Sequence, residues 1–83
     1  MELIELKNLG KTSVQWLNAV GIQSPEQLKS VGAVEAYRKV KARGFRVSKV
    51  LLYALEGALL DIHWSDLDPD HKAKLLAEAE APL

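Results

Sequence analysis

The apolar residues of this chain recur every three or four positions, and no stretch alternates between apolar and polar residues for long. Such spacing lines one side of a helix with apolar side chains, whereas a half-buried strand would need alternation. We therefore predict an all-α fold, a compact bundle of about five short helices. We expect a single helical domain over residues 1–79 and a frayed tail over residues 80–83.

Turn and capping residues divide this pattern into segments. Gly21 and Gly44 are each predicted to end a helix, since glycine can turn left-handed there without penalty. Thr12, Ser24 and Ser48 can each cap the start of a helix. The predicted helices run from about Thr12 to Val20, from Pro25 to between Ser30 and Gly32, from about Ala33 to Arg43, from Lys49 to about Ile62, and from Asp68-Pro69 to about Ala79.

The apolar faces of these segments predict how they pack. The segment from Lys49 to Ile62 is apolar around nearly its whole circumference, which is typical of a helix at the centre of a domain. The third helix has a narrower stripe, and we expect Arg38 and Lys39 on its far side. The inner stripes are predicted to be Ala33, Val34, Ala36, Tyr37 and Val40 in the third helix and Ala73, Leu76 and Ala77 in the fifth. The expected core anchors are Trp16, Tyr37, Tyr53 and Trp64.

Two neighbouring residues of the central segment need an explanation. Glu56 interrupts an apolar helix, and a buried carboxylate is costly unless it is paired. We expect Arg43, Arg46 or a backbone N–H group to satisfy it. Gly57 lies in a helix interior, where glycine costs about 0.5–1 kcal/mol relative to alanine. We therefore expect the central helix to approach another helix most closely at this glycine.

The composition argues against several classes of function. The chain has no cysteine, which excludes disulfides and cysteine-rich zinc sites. His63 and His71 have a poor spacing for a metal, and packing or capping is the simpler role for His63. No Ser-His-Asp set or pair of carboxylates is apparent, so we expect no enzymatic activity and no cofactor. The longest apolar stretch, Val50 to Ile62, is too short to cross a bilayer, which takes about 20 residues. A cytoplasmic protein is expected.

Charge is distributed unevenly along the chain, although its formal net charge is zero. Residues 29–49 hold seven lysines and arginines and one acid, whereas residues 56–80 hold seven acids and two lysines. Such asymmetry can mark one face for an anion. Alternatively, the two segments neutralise each other in the fold or form solvated faces.

Residues 6–28 contain two glycine turns, each followed by a helix signal. The first turn reads Leu6-Lys7-Asn8-Leu9-Gly10 and the second reads Gly21-Ile22-Gln23-Ser24. They resemble helix-hairpin-helix segments, in which the turn offers backbone N–H groups at a helix start to a nucleic-acid phosphate. The alternative is that the two glycines serve only as a turn and a cap. The candidate contacts to DNA phosphate are Gly10, Lys11, Thr12, Arg38, Lys39, Lys41, Arg43, Arg46 and Lys49.

A longer series of motifs runs from about residue 3 to residue 77. In order, it contains Asn8-Leu9-Gly10, Trp16-Leu17, Val20-Gly21-Ile22, Leu28, Gly32-Ala33-Val34, Ala36-Tyr37, Leu52-Tyr53-Ala54-Leu55-Glu56-Gly57-Ala58 and His63-Trp64. The series resembles the C-terminal domain of the TfoX/Sxy regulators of bacterial competence, although this family commonly has proline where the chain has Lys11. The resemblance implies a SAM-like or helix-hairpin-helix-like fold. It also implies a part in activating transcription of DNA-uptake genes with a protein partner such as a cyclic-AMP receptor protein.

Two hypotheses about function follow. In the first, the chain is a regulatory domain that acts through a protein partner and makes weak contact with the phosphate backbone of DNA. In the second, it is a stand-alone protein–protein interaction module that does not bind DNA. The zero net charge favours the second hypothesis, and the basic middle segment favours the first.

Overall fold

Five α-helices and two short 3₁₀ turns form the fold in the computed structural model, which describes residues 1–81. The 3₁₀ turns are Leu3–Glu5, which precedes the first helix, and Trp64–Asp66, which precedes the last. The part of the chain that is described contains no strand, and the predicted all-α fold is confirmed. The helices are α1 (Lys11–Ala19), α2 (Pro25–Val31), α3 (Ala33–Arg43), α4 (Lys49–Leu60) and α5 (Pro69–Glu80).

Helix α4 lies at the centre of the domain, as its apolar circumference predicted. It packs against α2, α3, α5 and the 3₁₀ turn at Trp64–Asp66. Leu52 and Leu55 are completely buried, and burying a leucine contributes roughly 1.5–3 kcal/mol. Coverage is incomplete near the ends of the helix, where Val50 and Leu60 are 45% and 50% exposed.

The start of α2 follows the sequence signals closely. Ser24 is the N-cap, and its hydroxyl accepts a hydrogen bond from the backbone N–H of Gln27 at 3.2 Å. The Gln27 side chain in turn accepts from the backbone N–H of Gln23 at 2.6 Å. These two bonds satisfy donors that a helix start leaves without internal partners. The predicted cap at Ser24 is confirmed.

The predicted cap at Thr12 is wrong, because α1 begins one residue earlier. Gly10 is the N-cap, and its carbonyl accepts the first helical hydrogen bond, from Val14 N–H at 3.0 Å. Thr12 therefore lies within the first turn of the helix. Ser48 does precede α4, as predicted, but its side chain forms no capping hydrogen bond.

Helix α4 ends at Leu60, before the predicted end at Ile62, because the next residue turns left-handed. Asp61 has φ of 58°, and the N–H of Ile62 donates to the carbonyl of Gly57 at 2.9 Å. This is the hydrogen-bond pattern that closes many helices, usually with glycine at the left-handed position. The same pattern ends α1 at Gly21, where φ is 86°.

The inner face of α5 differs from the prediction. Leu75 and Ala79, one turn apart, are 7% exposed each, whereas Ala73 and Ala77 lie on the exposed side. Leu76 is half-buried and packs against the edge of the core. An alanine methyl buries little area, so the alanines of this helix do not decide which side faces inward.

Arg38 holds the C-terminal end of α5, which corrects its predicted place on the far side of α3. Its guanidinium donates to the carbonyls of Ala79 at 3.2 Å and Glu78 at 2.9 Å, and also to that of Ala81. The last carbonyls of a helix lack internal partners and carry the negative end of its dipole, so a cation stabilises them. Of the predicted frayed tail, Glu80 is helical, and residues 82–83 lie outside the described residues.

We expect Asp61→Gly to stabilise the protein by about 0.5–1 kcal/mol, because the left-handed conformation costs glycine nothing. Lys7 donates to the backbone carbonyl of residue 61 at 3.1 Å, and this bond survives the change. The lost ion pair between Lys7 and the Asp61 carboxylate is long, 3.8 Å, and exposed, so it contributes little. Urea unfolding measures the effect, with Asp61→Ala as the control that keeps the strained backbone. Equal stability of the two variants would contradict the prediction.

Candidate functional site

The turn that precedes α1 presents a helix start that, within residues 1–81, has no side-chain capping hydrogen bond. Gly10, Lys11 and Thr12 are all exposed, and the first turn contains no acidic residue. No side chain caps this end, and a Cβ atom at Gly10 would meet nothing within 4 Å. Unpaired N–H groups and the positive end of the helix dipole attract an anion, and Lys11 adds a full charge.

Two of the other candidate phosphate contacts, Arg38 and Lys39, have different neighbours in the fold. Arg38 is occupied by the end of α5, as described above. Lys39, one residue on, is exposed and lines a shallow concavity together with Ile22 and Ser30. Successive residues of a helix are about 100° apart, so the neighbouring bases of α3 point to different flanks.

The basic segment around the start of α4 forms no ion pair within residues 1–81. Arg43, Arg46 and Lys49 are exposed, and they surround Phe45 in the chain. The Phe45 ring stacks on Trp16 of α1, with 5.4 Å between ring centroids. This contact places the basic segment next to the middle of α1. Phe45 was not identified as an anchor from the sequence, because a single aromatic residue in a loop carries no periodic signal.

Opposite charges flank the two ends of α4. Arg43 and Arg46 precede the helix and Lys49 is its first residue. Four exposed carboxylates follow the helix, at Asp61, Asp66, Asp68 and Asp70. Helix α4 lies between the two groups along the chain, and its twelve residues make it about 18 Å long. Within residues 1–81, the ion pairs are Lys7–Asp61 and His71–Glu56, and neither joins the basic segment to the acidic one. Direct pairing therefore does not neutralise the two segments.

The side chain of Asn8 fastens the N-terminal turn to the end of α4. Its amide nitrogen donates to the carbonyl of Ile62 at 2.9 Å and to that of Ala54 at 3.4 Å. Its carbonyl oxygen accepts from the backbone N–H of Trp64 at 3.1 Å. Asn8 adopts a φ of 72°, a left-handed conformation that asparagine tolerates better than most residues. We call this set of hydrogen bonds the Asn8 clamp.

Gly57 makes room for the Asn8 clamp. A Cβ atom at this position would lie 2.6 Å from Asn8 Nδ2, 2.8 Å from the carbonyl oxygen of Ile62 and 3.3 Å from Trp64 Cα. The predicted close approach at Gly57 is confirmed, but its neighbour is the clamp rather than another α-helix. Three motifs of the chain, at residues 8–10, 52–58 and 63–64, therefore meet at one point.

Glu56 pairs with His71 rather than with Arg43, Arg46 or a backbone N–H group, which corrects the predicted partner. The distance from His71 Nε2 to Glu56 Oε2 is 2.7 Å. The Glu56 side chain is 20% exposed and that of His71 is 41% exposed, so neither group is fully removed from water. The pair joins α4 to α5. Within residues 1–81, no group of three or more His, Cys, Asp or Glu side chains could hold a metal ion.

His63 caps the 3₁₀ turn at Trp64–Asp66, in agreement with the capping role expected for it. Its Nδ1 accepts a hydrogen bond from the backbone N–H of Ser65 at 3.2 Å. Among the expected anchors, Tyr37 is buried, and this burial raises the pKa of its phenol, with a further rise from the charge of Glu80. Trp16 and Tyr53 are half-buried against the core.

These features define a small all-helical domain with its first turn clamped onto its central helix. The chain belongs to the family of the TfoX C-terminal domain, whose model matches residues 1–79. It is similar to an uncharacterized protein from Listeria monocytogenes in a triclinic crystal form, with 41% identity and a TM-score of 0.87 over 92% of this chain and 86% of that chain. A Listeria monocytogenes protein of unknown function in a tetragonal form gives 41% identity and a TM-score of 0.87, over 92% of this chain and 94% of that chain.

None of the curated proteins compared with the chain matches it. Within residues 1–81, every helix is either too short or too polar to span a membrane.

We expect Gly57→Ala to destabilise the protein by about 1–3 kcal/mol, because the added methyl group must displace the Asn8 amide or the backbone at Ile62. Thermal unfolding measures the loss. In an Asn8→Gly background, which removes the amide and keeps the left-handed backbone, the same substitution should cost less. Strictly additive losses in the double variant would show that the two residues do not interact.

We expect Glu56→Ala to lower stability by about 1 kcal/mol, because it removes one partially exposed hydrogen bond to His71. The substitution His71→Ala should cost a similar amount, and the double variant should lose less than the sum of the two. Chemical unfolding of the four proteins gives the coupling energy. A coupling energy of zero would show that the pair contributes nothing to the attachment of α5.

Proposed function

We propose that this chain is a regulatory domain of bacterial competence that acts through a protein partner and adds a weak contact to DNA phosphates. In this proposal it takes part in the transcription of DNA-uptake genes, with a partner such as a cyclic-AMP receptor protein. The domain works in the cytoplasm and has no catalytic activity. The family match over residues 1–79 carries the regulatory part of the proposal.

The proposed phosphate contact rests on the exposed, uncapped start of α1. Backbone N–H groups and lysines position a protein on a duplex without reading its sequence. Binding is therefore weak, in the range of ~10⁻⁴–10⁻⁶ M for nonspecific complexes at physiological salt, and falls as salt rises. The protein partner, rather than this domain, selects the target genes.

The second candidate is an interaction module that does not touch DNA. It is favoured by the zero net charge and by the placement of the bases of α3. The Arg38 guanidinium donates to the last carbonyls of α5, so one of the candidate bases of α3 already has partners within the fold.

Fluorescence anisotropy of a labelled duplex of arbitrary sequence, titrated at several salt concentrations, tests the DNA contact. We expect weak binding that declines with salt because bound counterions are released. Lys11→Glu should weaken binding to every duplex by a similar factor. Lys74→Glu makes the same charge change on the exposed side of α5 and should have a smaller effect.

The possible outcomes separate the two candidates. No binding at low salt, together with an unchanged fold of Lys11→Glu, would support the module that does not touch DNA. Tight and sequence-selective binding by the isolated chain would contradict both candidates. Calorimetry with a purified cyclic-AMP receptor protein tests the named partner separately, and the absence of heat at high protein concentration would remove that partner from the proposal.

A further inference from the structure

Two aromatic rings stack on Trp64 just after the end of α4. The ring centroid of Trp64 lies 6.3 Å from that of Tyr53 and 5.9 Å from that of His63, with interplanar angles of 22° and 28°. Trp64 is only partly buried and, contrary to its predicted role as a core anchor, does not belong to the set of apolar residues that pack against the core. Large aromatic residues are costly to leave in water, and tryptophan is enriched where proteins bind each other.

The backbone beneath this stack is held in place. The N–H of Trp64 donates to Asn8 Oδ1 at 3.1 Å, and its Cα packs over Gly57. A binding group on a fixed backbone loses little freedom when a ligand binds, which favours association. The Tyr53–Trp64 pair is therefore a preorganised feature of the surface.

A cation already sits on this pair of rings. The Nζ atom of Lys72, on α5, lies 5.3 Å from the Trp64 ring centroid and 5.6 Å from that of Tyr53. Both distances fall within the roughly 6 Å over which an aromatic face attracts a cation. Within residues 1–81 this ammonium forms no ion pair with a carboxylate, so the rings are its identified partners.

The surroundings of the rings also favour cations. Residues 61–70 contain four aspartates and no lysine or arginine, and all four aspartates are exposed. Asp66, Asp68 and Asp70 form no ion pair within the described part of the chain. A surface of this sign repels nucleic acid and attracts a basic polypeptide.

We propose that the Tyr53–Trp64 pair and the neighbouring aspartates form a docking surface for a basic segment of a protein partner. An arginine of that segment takes the place of Lys72 on the rings, and the aspartates attract the bases beside it. Arginine suits the site better than lysine, because its planar guanidinium stacks on aromatic faces and is more weakly hydrated. The inference rests on the proposed function, for which it supplies the chemistry of the partner.

A hexa-arginine peptide serves as the probe, and the NMR signals of the Trp64 indole and of the backbone amides report binding. We expect the peptide to shift the signals of residues 53 and 61–72. Trp64→Leu should weaken binding about threefold or more, and Trp64→Phe should retain most of it, because phenylalanine keeps an aromatic face. Unchanged affinity in Trp64→Leu, or no binding to the natural chain at low salt, would overturn the proposal.

A matched pair of lysine variants separates ring recognition from general charge. Lys72→Met removes the cation from the rings, whereas Lys74→Met removes the same charge from the same helix at a position without a cation–π contact to them. Lys72→Met should tighten peptide binding by a clearly larger factor than Lys74→Met. Equal effects would overturn the proposal. The amide spectrum shows whether Trp64→Leu folds. If it does not fold, the comparison of the two lysine variants still tests the docking surface.

Other occupants of the surface give different results. If the stack joins two copies of this chain, sedimentation will show a dimer that Trp64→Leu dissociates, and the peptide will fail to bind, which overturns the proposal. Duplex DNA binding should be the same in Trp64→Leu as in the natural chain. The peptide experiment is independent of the anisotropy and calorimetry experiments. Failure of the docking surface is therefore distinguishable from failure of the regulatory function.

Discussion

The hydrogen bonds of the Asn8 side chain are the constraint on which the rest of the structure depends. They join the first turn to a carbonyl of α4, to the loop at Ile62 and to the backbone of Trp64. Polar groups of a partly buried loop are costly when unpaired, so three such bonds in one place fix the path of the chain. They also fix both candidate surfaces, because the start of α1 follows Asn8 within three residues and the Tyr53–Trp64 pair lies on the clamped loop.

Helix α5 is held in a different way, through polar contacts along most of its length. Within the described residues 69–80 of this helix, only Leu75 and Ala79 expose less than a tenth of their surface. Lys72 attaches its first turns to aromatic rings, His71 bonds to Glu56 of α4, and Arg38 of α3 holds its last carbonyls. The small apolar residues of α5 do not determine how the helix is rotated about its axis. Polar contacts depend on geometry, so they select one rotation.

Local signals account for what was predicted correctly from the sequence. The bounds of α3, the cap at Ser24 and the left-handed turn at Gly44 depend on residues close together in the chain. The exposed turn at Gly10 is local as well, and its position at a helix start was expected.

The wrong cap at Thr12 and the early end of α4 are local errors of one or two residues. The failed predictions about side-chain partners concern residues distant in the chain. Arg38 meets residues 78–81, and Glu56 meets His71, 15 positions away. Neither pairing follows from helical periodicity, because each depends on how separate helices pack. The basic residues of α3 were grouped by their closeness in sequence, although the turn of the helix sends Arg38 and Lys39 to different flanks.

The arrangement of charge at the two ends of α4 has a consequence for how the molecule moves near other molecules. Bases lie before this helix and at its first residue, and carboxylates follow it, so the charges have the same sense as the dipole of the helix itself. A protein without net charge is not drawn as a whole towards a distant ion, but a protein polarised in this way experiences a torque. The protein therefore rotates before it makes contact. The field of the other molecule selects its orientation at first encounter, even where the attraction is weak.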